Sequence, residues 1–166
     1  MWRDRGLRGL IAFLIVAFIC VGSPALRAQG TDAATTANAN KLAQVLKQSG
    51  YTYTTHRSDT WSIDLQRKNI GKVKIITSVG ADIVVTFAIL AKKANIQKSA
   101  QFLETLASAN HDYDFVKVGL DKDGDLFVRI DTPARTIDVQ EFKRVVEQVA
   151  NASNEVYAKV SGSIRR

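Results

Sequence analysis

Apolar and polar residues change their spacing several times along this chain, and each change predicts an element. Leu42, Val45 and Leu46 fall on one stripe of a helix that starts near Thr36 or Asn38 and ends at Ser49. Gly50 then stands where a left-handed C-terminal residue belongs. From Tyr51 to Leu65 the period drops to two: Trp61, Ile63 and Leu65 share one face, Thr60, Ser62 and Asp64 the other. Asn69-Ile70-Gly71 turns the chain into a second strand, Lys72 to Thr77, and Gly80-Ala81 into a third, Asp82 to Leu90. That third strand is apolar on both faces, with Ile83, Val85, Phe87 and Ile89 on one and Val84, Ala88 and Leu90 on the other. A strand of this kind is central in its sheet or has one face in an interface.

Helical spacing returns with Ile96, Ala100, Leu103, Leu106 and Ala107, and Asn95 is the expected N-cap. Asn110 ends that helix. Val116, Val118 and Leu120, then Leu126, Val128 and Ile130, alternate with other residues on either side of Asp123-Gly124. This is a hairpin signal, because Gly supplies the positive φ of a tight turn. Asp138 is the expected cap of a last helix whose stripe reads Phe142, Val146, Val149, Ser153, Val156 and Val160. From Val139 to Val160 that helix is about 33 Å long at roughly 1.5 Å per residue. Short strands need less, so its C-terminal turns are expected either to overhang or to meet a partner. The order is α-β-β-β-α-β-β-α, an α+β fold with an antiparallel five-stranded sheet.

The first residues read differently. Arg3, Arg5 and Arg8 precede an unbroken apolar run, Leu10 to Val21, and small residues follow, with cleavage expected after Ala25 or Ala28. The run is shorter than the roughly 18 apolar residues that span a bilayer. The organisation expected is therefore a secretory signal peptide over 1–28, a flexible tether over 29–39, one domain over 40–161 and a tail over 162–166. A periplasmic or secreted location follows. The net charge of +7 shrinks once four arginines and one aspartate leave with the signal, to 19 basic against 15 acidic residues, or +4. So mild a balance says little about partners. Cys20, the only cysteine, lies inside the signal, so the mature chain has no thiol for a disulfide, a zinc site or a nucleophile.

The runs TWSIDLQRKNIGKVKIITSV, HDYDFVKVGLDKDGDLFVRIDTPA and IDVQEFKRVVEQVANASNEVY resemble the bacterial YbjN-like family, whose fold is similar to that of type III secretion chaperones. The resemblance extends over roughly Asn40 to Val160. It implies the same element order and carries over no catalytic residue. The signal peptide departs from the common family pattern and argues against a cytosolic role.

Candidate chemistry is sparse. Asp121, Asp123 and Asp125 surround Gly124, but a calcium loop places Gly sixth and Glu twelfth, whereas Gly124 is fourth and no Glu follows. Turn-shaping aspartates account for the cluster. His56 and His111 lack a nucleophile motif beside them, and an exposed position suits His111. Arg67, Lys68, Lys72, Lys74, Lys92 and Lys93 lack the interleaved aromatics of single-strand binders and are expected to be solvated. No cofactor, metal, nucleic acid or membrane partner is indicated for the mature chain. The function expected is a non-enzymatic, exported, protein-binding domain, chaperone-like or regulatory, meeting a protein partner or a second copy. Its expected surface is Val84, Ala88 and Leu90 beside Val149, Val156 and Val160. The rival is a sensory module with a small-ligand pocket between sheet and helices.

Overall fold

The computed structural model describes residues 24–165, with side chains from residue 33 onward. The apolar run Leu10 to Val21, and with it most of the expected signal, lies outside the described residues. Three helices, α1 (Pro24–Ser49), α2 (Ala100–Asp112) and α3 (Val139–Val160), pack on a sheet of six strands. The strands are β1 (Tyr53–Arg57), β2 (Thr60–Arg67), β3 (Gly71–Val79), β4 (Ile83–Ala91), β5 (Lys117–Leu120) and β6 (Leu126–Pro133). Every pairing is antiparallel and the spatial order is β1-β2-β3-β4-β6-β5, so α2 carries the chain from β4 across to the far edge. The α+β class holds.

The sixth strand comes from a turn inside the expected first strand. Ser58-Asp59 reverses the chain between β1 and β2, pairing Arg57 with Thr60. Asp59 holds the turn: its carbonyl accepts the Val79 N–H at 3.0 Å, and its carboxylate accepts the Thr60 hydroxyl at 2.8 Å. Aspartate and serine favour such local bonds over a continuous ladder.

The core lies between the sheet and the helices. Its sheet side alternates as the period-two pattern requires: Trp61, Ile63, Val73, Ile75, Val84, Ala88, Val118, Leu126, Val128 and Ile130 are buried. Leu42, Val45 and Leu46 of α1 and the whole stripe of α3 close it from above. Asp138 caps α3 as expected, its carboxylate accepting the Glu141 N–H at 2.8 Å. Gly50 follows α1 at φ 79°, a left-handed conformation that costs glycine nothing.

Four local expectations are corrected. α1 begins at Pro24, so its helix runs through the expected tether; Ala33, Ala34 and Ala37 are strong helix formers, and after Gly30 no glycine or proline interrupts them. The cap of α2 is Ser99, whose hydroxyl accepts the Phe102 N–H at 3.1 Å. Asn95 is engaged elsewhere: its carbonyl accepts the Arg165 N–H, Ile96 bridges Ile164, and Gln97 donates to Ser163, so the expected tail is strapped to the segment before α2. Finally, α2 buries Leu106 as expected but with Phe102 and Ala109 in place of Leu103, which is 50% exposed, and Ala107.

Candidate functional site

The surface expected to meet a partner is the domain's own core. Val84, Ala88, Val149, Val156 and Val160 are all buried, and Leu90 is half-buried against them beside a bulge where β4 slips its register on β6. The reason is packing. α3 lies with its full stripe along the inner face, and its last turns, instead of overhanging, are covered by α2 and the strapped tail. The double-sided apolar pattern of the third expected strand was a true signal, but the free face is the other one.

On that outer face, Val85, Phe87 and Ile89 of β4 are partly exposed and Ile83 is 40% exposed. The register lines them up with neighbours on both sides. Ile76 of β3 stands beside Phe87, and Phe127 of β6 beside Ile89. Gly119 of β5 stands opposite Phe127, and a Cβ there would meet the Phe127 ring at 3.5 Å. Together they make an apolar band across the middle of the sheet, on which no helix packs among the described residues. Within it Val85, Phe87, Ile89 and Phe127, rimmed by Asp121 and Arg129, line an open dent of about 180 Å³.

Charges flank the band. On one side the Lys72 and Lys74 ammonium groups both pair with Asp64, at 2.9 and 3.0 Å, and their hydrogen bonds hold its carboxyl below the usual range. On the other, Lys117 and Arg129 share Asp131. Burial pushes the Asp131 carboxyl up, but the hydrogen bonds and charges of Arg129 and Lys117 outweigh it and leave it below the ordinary value. Each flank has two cations on one carboxylate, an apolar band with a mildly basic border.

The aspartates of the β5–β6 turn serve the backbone. Asp121 Oδ1 accepts the N–H groups of Asp123 and Asp125, both at 2.9 Å, and Gly124 sits at φ 85°. Asp125 accepts Lys92 Nζ at 2.7 Å and the Lys93 N–H at 2.9 Å, fastening the turn to the end of β4. Its carboxyl is held below the usual range by the Lys92 hydrogen bond, then by the Lys93 N–H. Lys92 is therefore a tie as well as a solvated charge. His56 is exposed on β1 with Nε2 2.8 Å from the Ser62 hydroxyl, and His111 is exposed in the last turn of α2. Among the described residues no group of three or more His, Cys, Asp or Glu side chains is placed to hold a metal ion.

One feature had no sequence signal. Phe115, between α2 and β5, is 77% exposed and adopts φ 64°, a left-handed backbone that an aromatic residue rarely takes. Its neighbours are fixed to α3. The Tyr113 hydroxyl donates to Glu155 at 2.7 Å, and the Gln148 amide donates to the Asp114 carbonyl at 2.8 Å. Burial and then the hydrogen bond to Glu155 push the Tyr113 hydroxyl pKa up.

A family model described as "Putative bacterial sensory transduction regulator", YbjN, matches residues 38–161. The chain belongs to the YbjN family. Among solved structures, the crystal structure of the ExsC–ExsE complex is similar over 76% of this chain and 95% of the matched chain, at 13% identity and a TM-score of 0.54. YbjN from E. coli is similar over 72% and 91%, at 18% identity and a TM-score of 0.51. The HopA1–SchA chaperone–effector complex is similar over 70% and 87%, at 16% identity and a TM-score of 0.48. No curated protein sequence matches the chain. The first two likenesses establish the fold that this YbjN domain shares with solved structures.

Proposed function

We propose that this YbjN domain is a non-enzymatic protein-binding module, chaperone-like or regulatory, that receives an apolar segment of another protein on the open face of β3, β4 and β6. The observation that carries the reading is the band itself: Ile76, Ile83, Val85, Phe87, Ile89 and Phe127 in register across the centre of a sheet whose other face is fully covered. A lone soluble domain seldom leaves contiguous apolar surface in water without a use for it. The similar chain in the ExsC–ExsE structure is part of a two-protein complex, which supports the reading by analogy of fold. We further propose that the protein acts outside the cytoplasm. The arginines and apolar run at the N-terminus support export, and both expected cleavage points, Ala25 and Ala28, fall at the start of α1, so cleavage would trim that helix and spare the domain.

The rival sensory module needs room between sheet and helices. That space is filled by Phe142, Val145, Val146 and Val149, each fully buried, and the outer dent holds about one side chain. The test is site-specific photo-cross-linking in the producing cell. A benzophenone side chain at Phe87 should capture a discrete protein, identified by mass spectrometry, while the same group at exposed Leu103 should not. Equal labelling at both positions, or none at Phe87, would overturn the reading.

A further inference from the structure

The dimensions of the open face suit one kind of segment. Ile83, Val85, Phe87 and Ile89 are alternate residues of β4, so the band runs along that strand for about 20 Å at roughly 3.3 Å per residue. β3 and β6 flank β4, and two strand spacings set them about 10 Å apart. A helix is about 10 Å across, and about 13 residues of it cover that length.

Backbone chemistry favours a helix over an extended chain. β4 lies inside the sheet, paired with β3 and β6, so the band offers side chains and no free edge. An extended segment laid over it would press its own N–H and C=O groups onto apolar surface with nothing to bond. Neither edge can serve them. Asn110 occupies the outward groups of Val118 on β5, and β1 is separated from β4 by two strands. A helix satisfies its backbone within itself.

Charge distinguishes the two sides. Lys72 and Lys74 share the outer face of β3 with Ile76, and their two ammonium groups have the single carboxylate of Asp64 between them. On the β6 side, Asp131 and Asp121 offset Lys117 and Arg129. A positive charge in excess therefore borders the band along β3, and none does along β6.

We propose that the occupant of the open face is an amphipathic helix of a partner protein, about 13 residues long and lying along β4. Its apolar positions recur at spacings of three and four, and its acidic residues lie on the side toward Lys72 and Lys74. The inference rests on the reading of the open face given above and names the chemistry of the partner.

Three synthetic peptides of about 14 residues, titrated by calorimetry into the purified protein, test it. The first has leucines at helical spacing with glutamates along one side. The second has the same composition with leucines at every second position, and the third is the first with lysine for each glutamate. The first should bind at least about tenfold tighter than the second and about fivefold tighter than the third. Ile89→Lys should abolish its binding, and Lys74→Glu should reverse the preference between the first and third peptides. Melting temperatures are read beside each titration, and Lys72→Glu replaces Lys74→Glu if the latter melts early. Equal or tighter binding of the alternating peptide, a charge preference that neither lysine variant reverses, or no binding by the first peptide would overturn the proposal. Photo-cross-linking at Phe87 separates the two ideas. A captured segment with alternating apolar residues refutes the helix and keeps the function; a helical peptide bound through Ile89, with no protein captured at Phe87, does the reverse.

Discussion

Val156, on the inner face of α3 in its second-last turn, is 1% exposed, and a charge there has no partner to meet among the described residues. Val156→Asp should therefore unfold the domain, at a cost of roughly 3–5 kcal/mol, with no separable effect on association. Thermal melting beside sedimentation checks this; a folded, monomeric mutant would return Val156 to an interface. One position back along the same stripe, the fully buried Ser153 hydroxyl has no hydrogen-bond partner among the described residues. Ser153→Ala removes an unsatisfied polar group at almost constant volume, so stability should hold or rise by up to about 1 kcal/mol in chemical denaturation. Asp131 gives a pH signature. Its folded-state pKa is depressed, so its contribution is present above the unfolded value of about 3.9 and is lost as pH falls through the lower folded value. Asp131→Asn should thus lower stability by roughly 1 kcal/mol at pH 7, and the gap from wild type should close as pH falls through the depressed folded-state value. A gap that persists in acid would point to packing.

At the scale of elements, the β5 edge of the sheet is closed by a side chain. Asn110 at the end of α2 accepts the Val118 N–H at 2.9 Å and donates to the Val118 carbonyl at 2.7 Å, so one side chain occupies the outward groups that a further strand would seek on β5. Asn110→Ala should cost about 1 kcal/mol and raise concentration-dependent aggregation, read by melting and light scattering. If neither moves, the edge is protected by something else. The same elements show what the sequence could and could not convey. The hairpin around Gly124, the cap at Asp138 and the stripe of α3 rest on contacts a few residues apart, and their spacing foretold them. The strap of Ile96 on Ile164 joins positions far apart in the chain, and the burial of Phe102 in place of Leu103 depends on where α2 lands on the sheet. The turn at Ser58-Asp59 was not foreseen, because the polar stretch around it gave no apolar alternation to break.

For the whole molecule, the decisive question was which face of the central strand the helices cover. Val84, Ala88 and Leu90 against Ile83, Val85, Phe87 and Ile89 are nearly balanced in hydrophobicity, so the pattern marked β4 as having two apolar faces without choosing between them. The helices settle it: α3 packs on β4 over buried Val84 and Ala88 while α1 packs on β3 and α3, and the larger residues are left outside. The most direct test takes the partner segment that cross-links to Phe87, made as a peptide, and titrates it by calorimetry into wild type and Ile89→Lys. We expect the affinity to fall at least tenfold, with the melting temperature of the variant within about 2 °C of wild type, because Ile89 lies outside the core. Equal affinity for the two proteins would show that the segment binds elsewhere and that the open face is not the recognition surface.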